Sequence, residues 1–516
     1  MNNIVKCLVL FSVFTQNVLG LKILVLFPLP ARSHYNLGVQ LAKGLTQFGH
    51  EVTIVAAFSE PKPPKGFKEI YLPELVEMRE NSDNEMGKVN MFEMENINPI
   101  FQVLFLNHAG ALWTDLVFNH TKVQALLKSN EHFDVVILEQ FLNDAHKYFA
   151  YHFNAPLVLF STVGANAWVN NFVGNPEPAS YIPNVFLSYY QEMTFLERMW
   201  NFIFGIIFEL NSQLYFYPKQ NEILHKYIPD APHINELNYN ISLLLLNSHE
   251  SINQAVPNVP NMVNIGGYHV DPPKELPRDL KEFMDNAKDG VIYFSMGSNL
   301  VPSMMPKDKK EAIMKVLGSR KEKVLWKWDD KNLKVPSNFF VSNWFPQQAI
   351  LSHPNCKLFI THGGLLSTTE TVYLGVPVLA FPIFGDQKLN AARASSLGFG
   401  KSLPFSTINE HNLAGTLNEL LENPKYHQNA KIRSQLLHDR PVKPIDLANY
   451  WIEYVVRYKG ANHLRVAAVN LPFYKYHMLD VIGAVLGGLV LIAYLLSKLC
   501  CRRKASAKSQ SKEKGE

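Results

Sequence analysis

Cysteine is nearly missing. The chain has 516 residues and 4 cysteines. Cys7 lies in residues 1–20, and Cys500 and Cys501 lie near the other end, so Cys356 stands alone between them. No internal disulfide can form there, which excludes a disulfide-stapled scaffold. The intervening stretch has to be held by its own core, and its length is enough to bury one. No Cys/His cluster has zinc spacing, so no metal site is expected. An excess of one charge is also lacking. Charged residues make up 18% and the net charge is +4, concentrated in the terminal tail. That balance gives no basis for a nucleic-acid partner. Long apolar runs are confined to the two ends.

The first run reads as a secretory signal peptide over residues 1–20. Lys6 precedes an apolar stretch, 7–14, followed by Thr15-Gln16-Asn17 and then Val18-Leu19-Gly20, where signal peptidase reads small or apolar residues. The second reads as a transmembrane helix over 479–501, which at ~1.5 Å per residue spans roughly 34 Å against a hydrocarbon core of ~30 Å. Asp480 and Lys498 fall near its ends; Phe473, Tyr474 and Tyr476 precede it as an interfacial belt. Arg502-Arg503-Lys504 opens a basic tail, 502–516, that is expected to stay cytosolic. This describes a single-pass type I membrane protein with a lumenal body. Lys512 and Lys514 resemble a dilysine address for the endoplasmic reticulum membrane. In that lumen Asn119 (Asn-His-Thr) and Asn240 (Asn-Ile-Ser) become glycosylation candidates.

Between the ends, strands and helices alternate. Residues 22–27 form a nearly continuous apolar run, as expected of a strand buried on both faces. A helix is expected over 36–48, stopped by Gly49, and a strand over 51–56. Further strands are expected at 134–138 and 157–160. Residues 60–130 and 165–240 are less regular; the apolar stretch 202–208 is assigned to the core by default, with an acceptor wall or a membrane-facing helix as alternatives. A Pro-rich linker near 271–277 leads to strands at 290–295, 323–327, 339–342, 358–361 and 378–381. The domains expected are 21–265 and 266–470, each with a parallel sheet and a ligand site beyond the strand carboxyl ends.

Several of those ends in the second half carry suitable chemistry. Gly297-Ser298 offers close backbone approach and a hydroxyl for phosphate oxygens. Thr361-His362-Gly363-Gly364 runs into a helix whose free amides make an anion site. His362 and Ser367 are placed to meet a diphosphate, and Glu370 to accept ribose hydroxyls. Asp386-Gln387 suits sugar hydroxyls, and Trp344 with Gln347 and Gln348 offers a ring and amides for a base.

Together, Trp344-Phe345-Pro346-Gln347, His353-Pro354, Phe359 to Gly364, Glu370, Gly375-Val376-Pro377, Pro382 and Asp386-Gln387 resemble the UDP-glycosyltransferase family. Asp439-Arg440-Pro441 and Trp451 to Val455 are similar to its membrane-bound animal branch. The resemblance implies an α/β GT-B fold, two facing doubly wound Rossmann-like parallel-sheet domains, with one C-terminal transmembrane helix added. It implies a UDP-sugar as co-substrate with no cofactor. It places Trp344 on uracil, Gln347 against the nucleoside, and Ser298, His362, Gly364 and Ser367 at the diphosphate. Glu370 falls to the ribose, Asp386 and Gln387 to the sugar. Many members have Asn where this chain has Leu366, which puts one contact in doubt.

The reaction needs a base for the acceptor proton. His34, in the loop after the first strand, matches the family's catalytic histidine. Two acids compete to orient it: Glu139, immediately after a strand, and Asp144, which has the usual side chain and is slightly preferred. The expected reaction is transfer of a hexose, glucose by preference, to small lipophilic acceptors with inversion, a detoxifying chemistry. Alternatives are a UDP-glucuronate donor, or a catalytically silent membrane protein that binds a UDP-sugar or a lipophile. Self-association is left open.

Overall fold

The computed structural model describes residues 20–80, 90–190, 192–271, 274–330 and 333–513, with side chains to Leu499. The signal-peptide reading therefore lies outside the described residues except for Gly20. So do Pro272 and Pro273 of the linker and Lys514 of the dilysine-like pair; the Lys512 side chain is likewise not described. The chain forms a body up to Arg465 and a second unit from Val466.

The body contains two parallel sheets. The first comprises β1 (Lys22–Phe27), β2 (Glu51–Ala56), β3 (Phe67–Tyr71), β4 (Val135–Glu139), β5 (Leu157–Ser161), β6 (Leu243–Leu246) and β7 (Met262–Asn264), in the order β3-β2-β1-β4-β5-β6-β7. The second comprises β8 (Val291–Ser295), β9 (Lys323–Lys327), β10 (Phe339–Ser342), β11 (Cys356–Thr361), β12 (Val378–Ala380) and β13 (Gly400–Ser402), in the order β10-β9-β8-β11-β12-β13. Each order reverses once, between β1 and β4 and between β8 and β11. A crevice opens beyond the strand ends at such a reversal. His34 follows β1 and Glu139 ends β4. Gly297 follows β8 and His362 follows β11. Both crevices thus receive the residues singled out in the sequence.

Burial explains the apolar runs. In β1, Leu24 and Leu26 enter one core layer while Ile23, Val25 and Phe27 enter the layer on the other face. A strand covered on both sides cannot alternate with polar residues. Each such side chain removed from water contributes ~1.5–3 kcal/mol.

The halves exchange segments. Phe92 and Met94 come from the first half but are buried in the second half's core. Conversely, the helix Pro444–Arg457, in the stretch expected as second domain, packs Ala448, Ile452 and Val455 onto the first sheet. Polar ties add to this: Gly385 N donates to Gln102 Oε1 at 3.3 Å, and Lys388 Nζ donates to the Glu95 carbonyl at 2.8 Å.

Three expectations change. The helix after β1 begins at Arg32, so His34 sits in its first turn rather than in a loop. Residues 60–130 and 165–240 are largely helical, including Pro99–Asn119 and Phe195–Asn211. The stretch 202–208 is not simply core: Phe204 and Phe208 are buried, but Phe202 and Ile206 are 58% and 45% exposed. In the second unit, a helix runs Leu479–Glu513, and its part Leu479–Leu499 has the length and apolarity to cross a membrane. Asn119 and Asn240 are both exposed.

Candidate active site

A cavity of about 420 Å³ lies between the two sets of strand ends. Its lining joins His34 and Phe141 from the first half to Ser298, Trp344, Gln347, His362, Gly364, Ser367, Glu370, Asp386 and Gln387 from the second.

On the first side, His34 Nδ1 is hydrogen-bonded to Glu139 Oε1. Glu139 is fully buried, and the His34 side chain keeps 17% of its surface open. The imidazole stands edge-on to Phe141, with ring centroids 4.8 Å apart, and Phe141 meets Trp168 at 5.6 Å. A carboxylate on Nδ1 leaves Nε2 as the remaining ring nitrogen. Asp144 is elsewhere occupied, which corrects the preference for it. Its Oδ1 accepts from Lys147 Nζ at 2.6 Å and from Gln140 Nε2 at 3.2 Å, and it contacts no His34 atom in any hydrogen bond. Burial pulls the Lys147 amine down to about 8, and Asp144 opposes that fall. Lys147 also donates to Asn238 Oδ1 at 2.7 Å. Asp144 therefore neutralises a buried cation rather than holding the histidine.

On the second side, Glu370 is buried, and burial raises its carboxyl above the usual range. Two amides offset that: Gln347 Nε2 on Oε2, and Gln348 Nε2 on Oε1 at 2.8 Å. Gln347 also donates to Ser367 Oγ at 3.3 Å and accepts from the Tyr293 hydroxyl at 3.2 Å. The carboxylate is thus fixed in place by a network spanning β8, the first turn of the helix Gln347–Ser352 and the helix Leu365–Leu374. Ser298 is exposed on its loop, and the Trp344 ring is 61% exposed at the rim.

His362 is clamped between two glycines. A Cβ at Gly297, whose φ is +80°, would stand 2.5 Å from His362 Cε1. A Cβ at Gly364 would stand 2.6 Å from Nε2. Both positions must therefore lack a side chain for the ring to lie flat in the strand-end crevice. Burial, with Lys327 nearby, pulls the imidazole down to about 4, so it is neutral at pH 7.

Asp386 and Gln387 open the helix Gln387–Ser396. The Asp386 carboxyl is raised by burial, and the Asn390 hydrogen bond (2.7 Å) and the facing His34 draw it back. Gln387 Oε1 accepts from the amides of Ile383 (2.9 Å) and Phe384 (3.2 Å), which leaves its Nε2 for a ligand. Leu366 is half-buried and packs against the first half's core. The side chain that stands where many members carry Asn thus serves the contact between the halves.

Sequence reasoning missed Lys327. This last residue of β9 lines the cavity, donates to the Gly297 carbonyl at 2.8 Å and lies 5.2 Å from the Trp344 ring centroid. Asking which strand ends of the second half finish in a cation would have found it. Phe141 and Trp168 were also missed, because an aromatic residue announces no chemistry of its own.

Comparison with known proteins agrees with this geometry. The family profile described as "UDP-glucoronosyl and UDP-glucosyl transferase" matches residues 33–514. The chain is 35% identical over 499 residues to the UDP-glycosyltransferase UGT5 of Dactylopius coccus, covering 95% of this chain and 93% of that one. It is 30% identical over 482 residues to the human UDP-glucuronosyltransferase 2B10, covering 89% of each. Among solved structures, the glycosyltransferase VinC in complex with dTDP superposes with a TM-score of 0.56 at 16% identity, over 85% of this chain and all (100%) of that one. A UDP-glucosyltransferase from Polygonum tinctorium superposes at 0.54 and 17%, over 85% and 98%. These two show the fold, GT-B, in which the parallel sheets face each other across a cleft. With a profile that spans nearly the whole sequence and relatives at this identity, the chain belongs to the family of UDP-glucuronosyl and UDP-glucosyl transferases and is a glycosyltransferase enzyme.

Proposed function

We propose that this enzyme transfers glucose from UDP-glucose to a hydroxyl of small lipophilic acceptors, with His34 as general base and inversion at the anomeric carbon. The observation that carries the reading is the shared cavity: His34, held by Glu139, faces Asp386 and the nucleotide-binding set across 420 Å³ of space. His34 Nε2 takes the acceptor proton as the oxygen attacks, and the Glu139 carboxylate stabilises the imidazolium that results. UDP departs on the opposite side, toward His362, Ser367 and Ser298. Attack from one half and departure into the other inverts the configuration.

The donor network supports a nucleoside diphosphate. Glu370 presents a fixed carboxylate for ribose hydroxyls, the helix start after Gly364 offers backbone amides, and neutral His362 donates without adding charge. Trp344 gives a flat, solvent-facing ring for the base. Charge supports glucose over glucuronate. A carboxylate on the sugar would lie beside Asp386, and the cations of the lining are Arg32, Lys274 and Lys327. Of these, Lys327 serves the Gly297 and Trp344 side, and the Arg32 guanidinium rests 4.1 Å from the Phe58 ring centroid. The half-buried Phe141 and Trp168 beside His34 suit apolar acceptors. The body is read as lumenal, anchored in the endoplasmic reticulum membrane through Leu479–Leu499, with Asn119 and Asn240 glycosylated.

The test is a donor–acceptor panel: UDP-glucose against UDP-glucuronate, each with mixed phenols and sterols, following UDP release. Faster release with UDP-glucose is the expected result. A reversed preference would overturn the donor assignment, and UDP release that ignores acceptor would overturn transfer as the reaction.

A further inference from the structure

The loop that leads into Asp386 is gripped from the other half of the body. Phe384, Gly385, Asp386 and Gln387 follow one another along the cavity wall. Gln387 ties the first part of this loop, because its Oε1 accepts from the amides of Ile383 and Phe384. Gly385 is held differently. Its φ is +62°, and nothing lies within 4 Å of the place a Cβ would take. Packing therefore does not fix the backbone just before Asp386, and a glycine by itself leaves it many conformations. What the Gly385 amide meets is Gln102 Oε1, at 3.3 Å, on the helix Pro99–Asn119 of the first half.

Gln102 is itself firmly placed. It is 3% exposed, and its Nε2 donates to the carbonyls of Met94 and Ile97, both at 3.0 Å. Those carbonyls belong to a segment anchored in the second half. Phe92 and Met94 lie in that half's core, and the Phe92 and Phe405 ring centroids are 5.0 Å apart. Glu95 Oε2 accepts from the Ser406 amide at 2.6 Å, and the Glu95 carbonyl accepts from Lys388 Nζ at 2.8 Å. Turning the Gln102 amide would break three hydrogen bonds at once and leave buried groups unpaired. Gln102 is not among the residues that line the cavity, so its effect on a ligand has to pass through Gly385.

We infer that Gln102 is a positioning residue for the sugar: by holding the Gly385 amide, it sets where the Asp386 carboxylate stands. Asn390 Nδ2, 2.7 Å from Asp386 Oδ2, orients that carboxylate on its own helix, but the loop before the helix decides where the helix begins. The sugar site is thus built by both halves, although its direct contacts come from the second. The inference rests on the reading of Asp386 as a sugar contact.

The experiment uses the full chain in detergent micelles. Dissociation constants for UDP-glucose and for UDP are measured by calorimetry without acceptor, and their ratio is compared among variants. UDP lacks the sugar, so its constant reports the nucleotide contacts and the fold alone. Gln102→Met keeps the side-chain length and removes the bond to Gly385. It should raise the ratio about three- to tenfold, the size of one lost hydrogen bond, with the UDP constant unchanged. Gln102→Glu keeps an acceptor oxygen for Gly385 and should stay at the wild-type ratio. Asp386→Ala should raise the ratio by itself, and adding Gln102→Met to it should change nothing further. An unchanged ratio in Gln102→Met overturns the inference. So does an equal rise of both constants, which assigns Gln102 to packing alone, and so does a Gln102→Glu protein that behaves like Gln102→Met. An effect of Gln102→Met that persists in full on top of Asp386→Ala overturns it as well. An unchanged ratio in Asp386→Ala overturns the sugar-contact reading and the inference with it; the outcomes named for Gln102 leave that reading standing.

Discussion

The two sides of the cleft are built on different plans. The side proposed for the donor lies mostly within 344–387, with Tyr293 added from β8, and is joined by its own hydrogen bonds: Glu370, Gln347, Gln348, Ser367 and Tyr293 hold one another before any ligand arrives. The acceptor side rests on one pair, His34 and Glu139, separated by 105 positions in the chain and framed by Phe141 and Trp168. A nucleoside diphosphate presents fixed donors, acceptors and charge, so its site needs fixed partners at fixed spacing. An apolar acceptor asks for shape and one base, and many sequences supply that.

This contrast predicts how the halves respond to damage. The largest loss is expected on the acceptor side. His34→Ala should lower kcat by about 10²–10⁴-fold, the usual range for a lost general base, while UDP affinity measured by calorimetry stays unchanged. A fall in UDP affinity of the same size would erase the division between the halves.

Next come the two acids. Glu139→Gln should lower kcat by about 10²-fold with little change in stability, because the amide keeps the packing but stabilises imidazolium poorly. Asp144→Ala should do the reverse. It leaves Lys147 buried without its counter-ion, at a cost of about 3–5 kcal/mol, read in the thermal midpoint, with kcat per folded molecule retained. If Asp144→Ala behaves like Glu139→Gln, the pairing seen in the structure does not operate in turnover.

On the donor side the effects should fall on KM. Glu370→Ala removes a carboxylate whose hydrogen bonds are worth about 1.5–3 kcal/mol, so the donor KM should rise about 10–100-fold with a smaller change in kcat. Trp344→Ala should raise it about fivefold, toward the low end of base-stacking energies because the ring faces water. Equal effects of the two would mean that the base holds the nucleotide as strongly as the ribose does, and a larger effect at Trp344 would reverse the order.

The smallest expected effect concerns acid stability. Burial pulls His146, behind the acceptor side, and His362, in the donor side, each down to about 4. With unfolded values near 6.5, the unfolded chain binds more protons between these limits. Stability is therefore full above ~6.5 and is lost as the pH falls toward 4. Between pH 7 and pH 5.5 each group should cost about 1 kcal/mol. His146→Gln should flatten the fall in thermal midpoint over that window, and an unchanged slope would show that His146 does not titrate there.

That the residues proposed for the donor line one cavity was legible in the sequence, because most of them fall within 344–387 and sit near strand ends that the apolar runs mark. The strands β1, β2, β9 and β10 were visible for the same reason. The short strands β7 and β13 were not, since three residues give no periodicity; β12, equally short, was visible only through the apolar run 378–381 around it. The choice between Glu139 and Asp144 failed for a readable cause: Lys147 lies three residues after Asp144 and claims it. The stretch 202–208 was assigned to the core on composition, which counts apolar residues without saying which face each one takes.

The one cysteine among the described residues of the body has a consequence for where the protein can be made. Cys356 opens β11, is buried, and burial pushes its thiol up to about 12. Thiol–disulfide exchange proceeds through the thiolate. In the folded body at neutral pH this sulfur stays a thiol and does not attack, so the native state resists disulfide exchange. The body should reach the same stability in a reducing cytoplasm as in an oxidising compartment, with no need of an oxidase or isomerase, and glutathione should leave its thermal midpoint untouched.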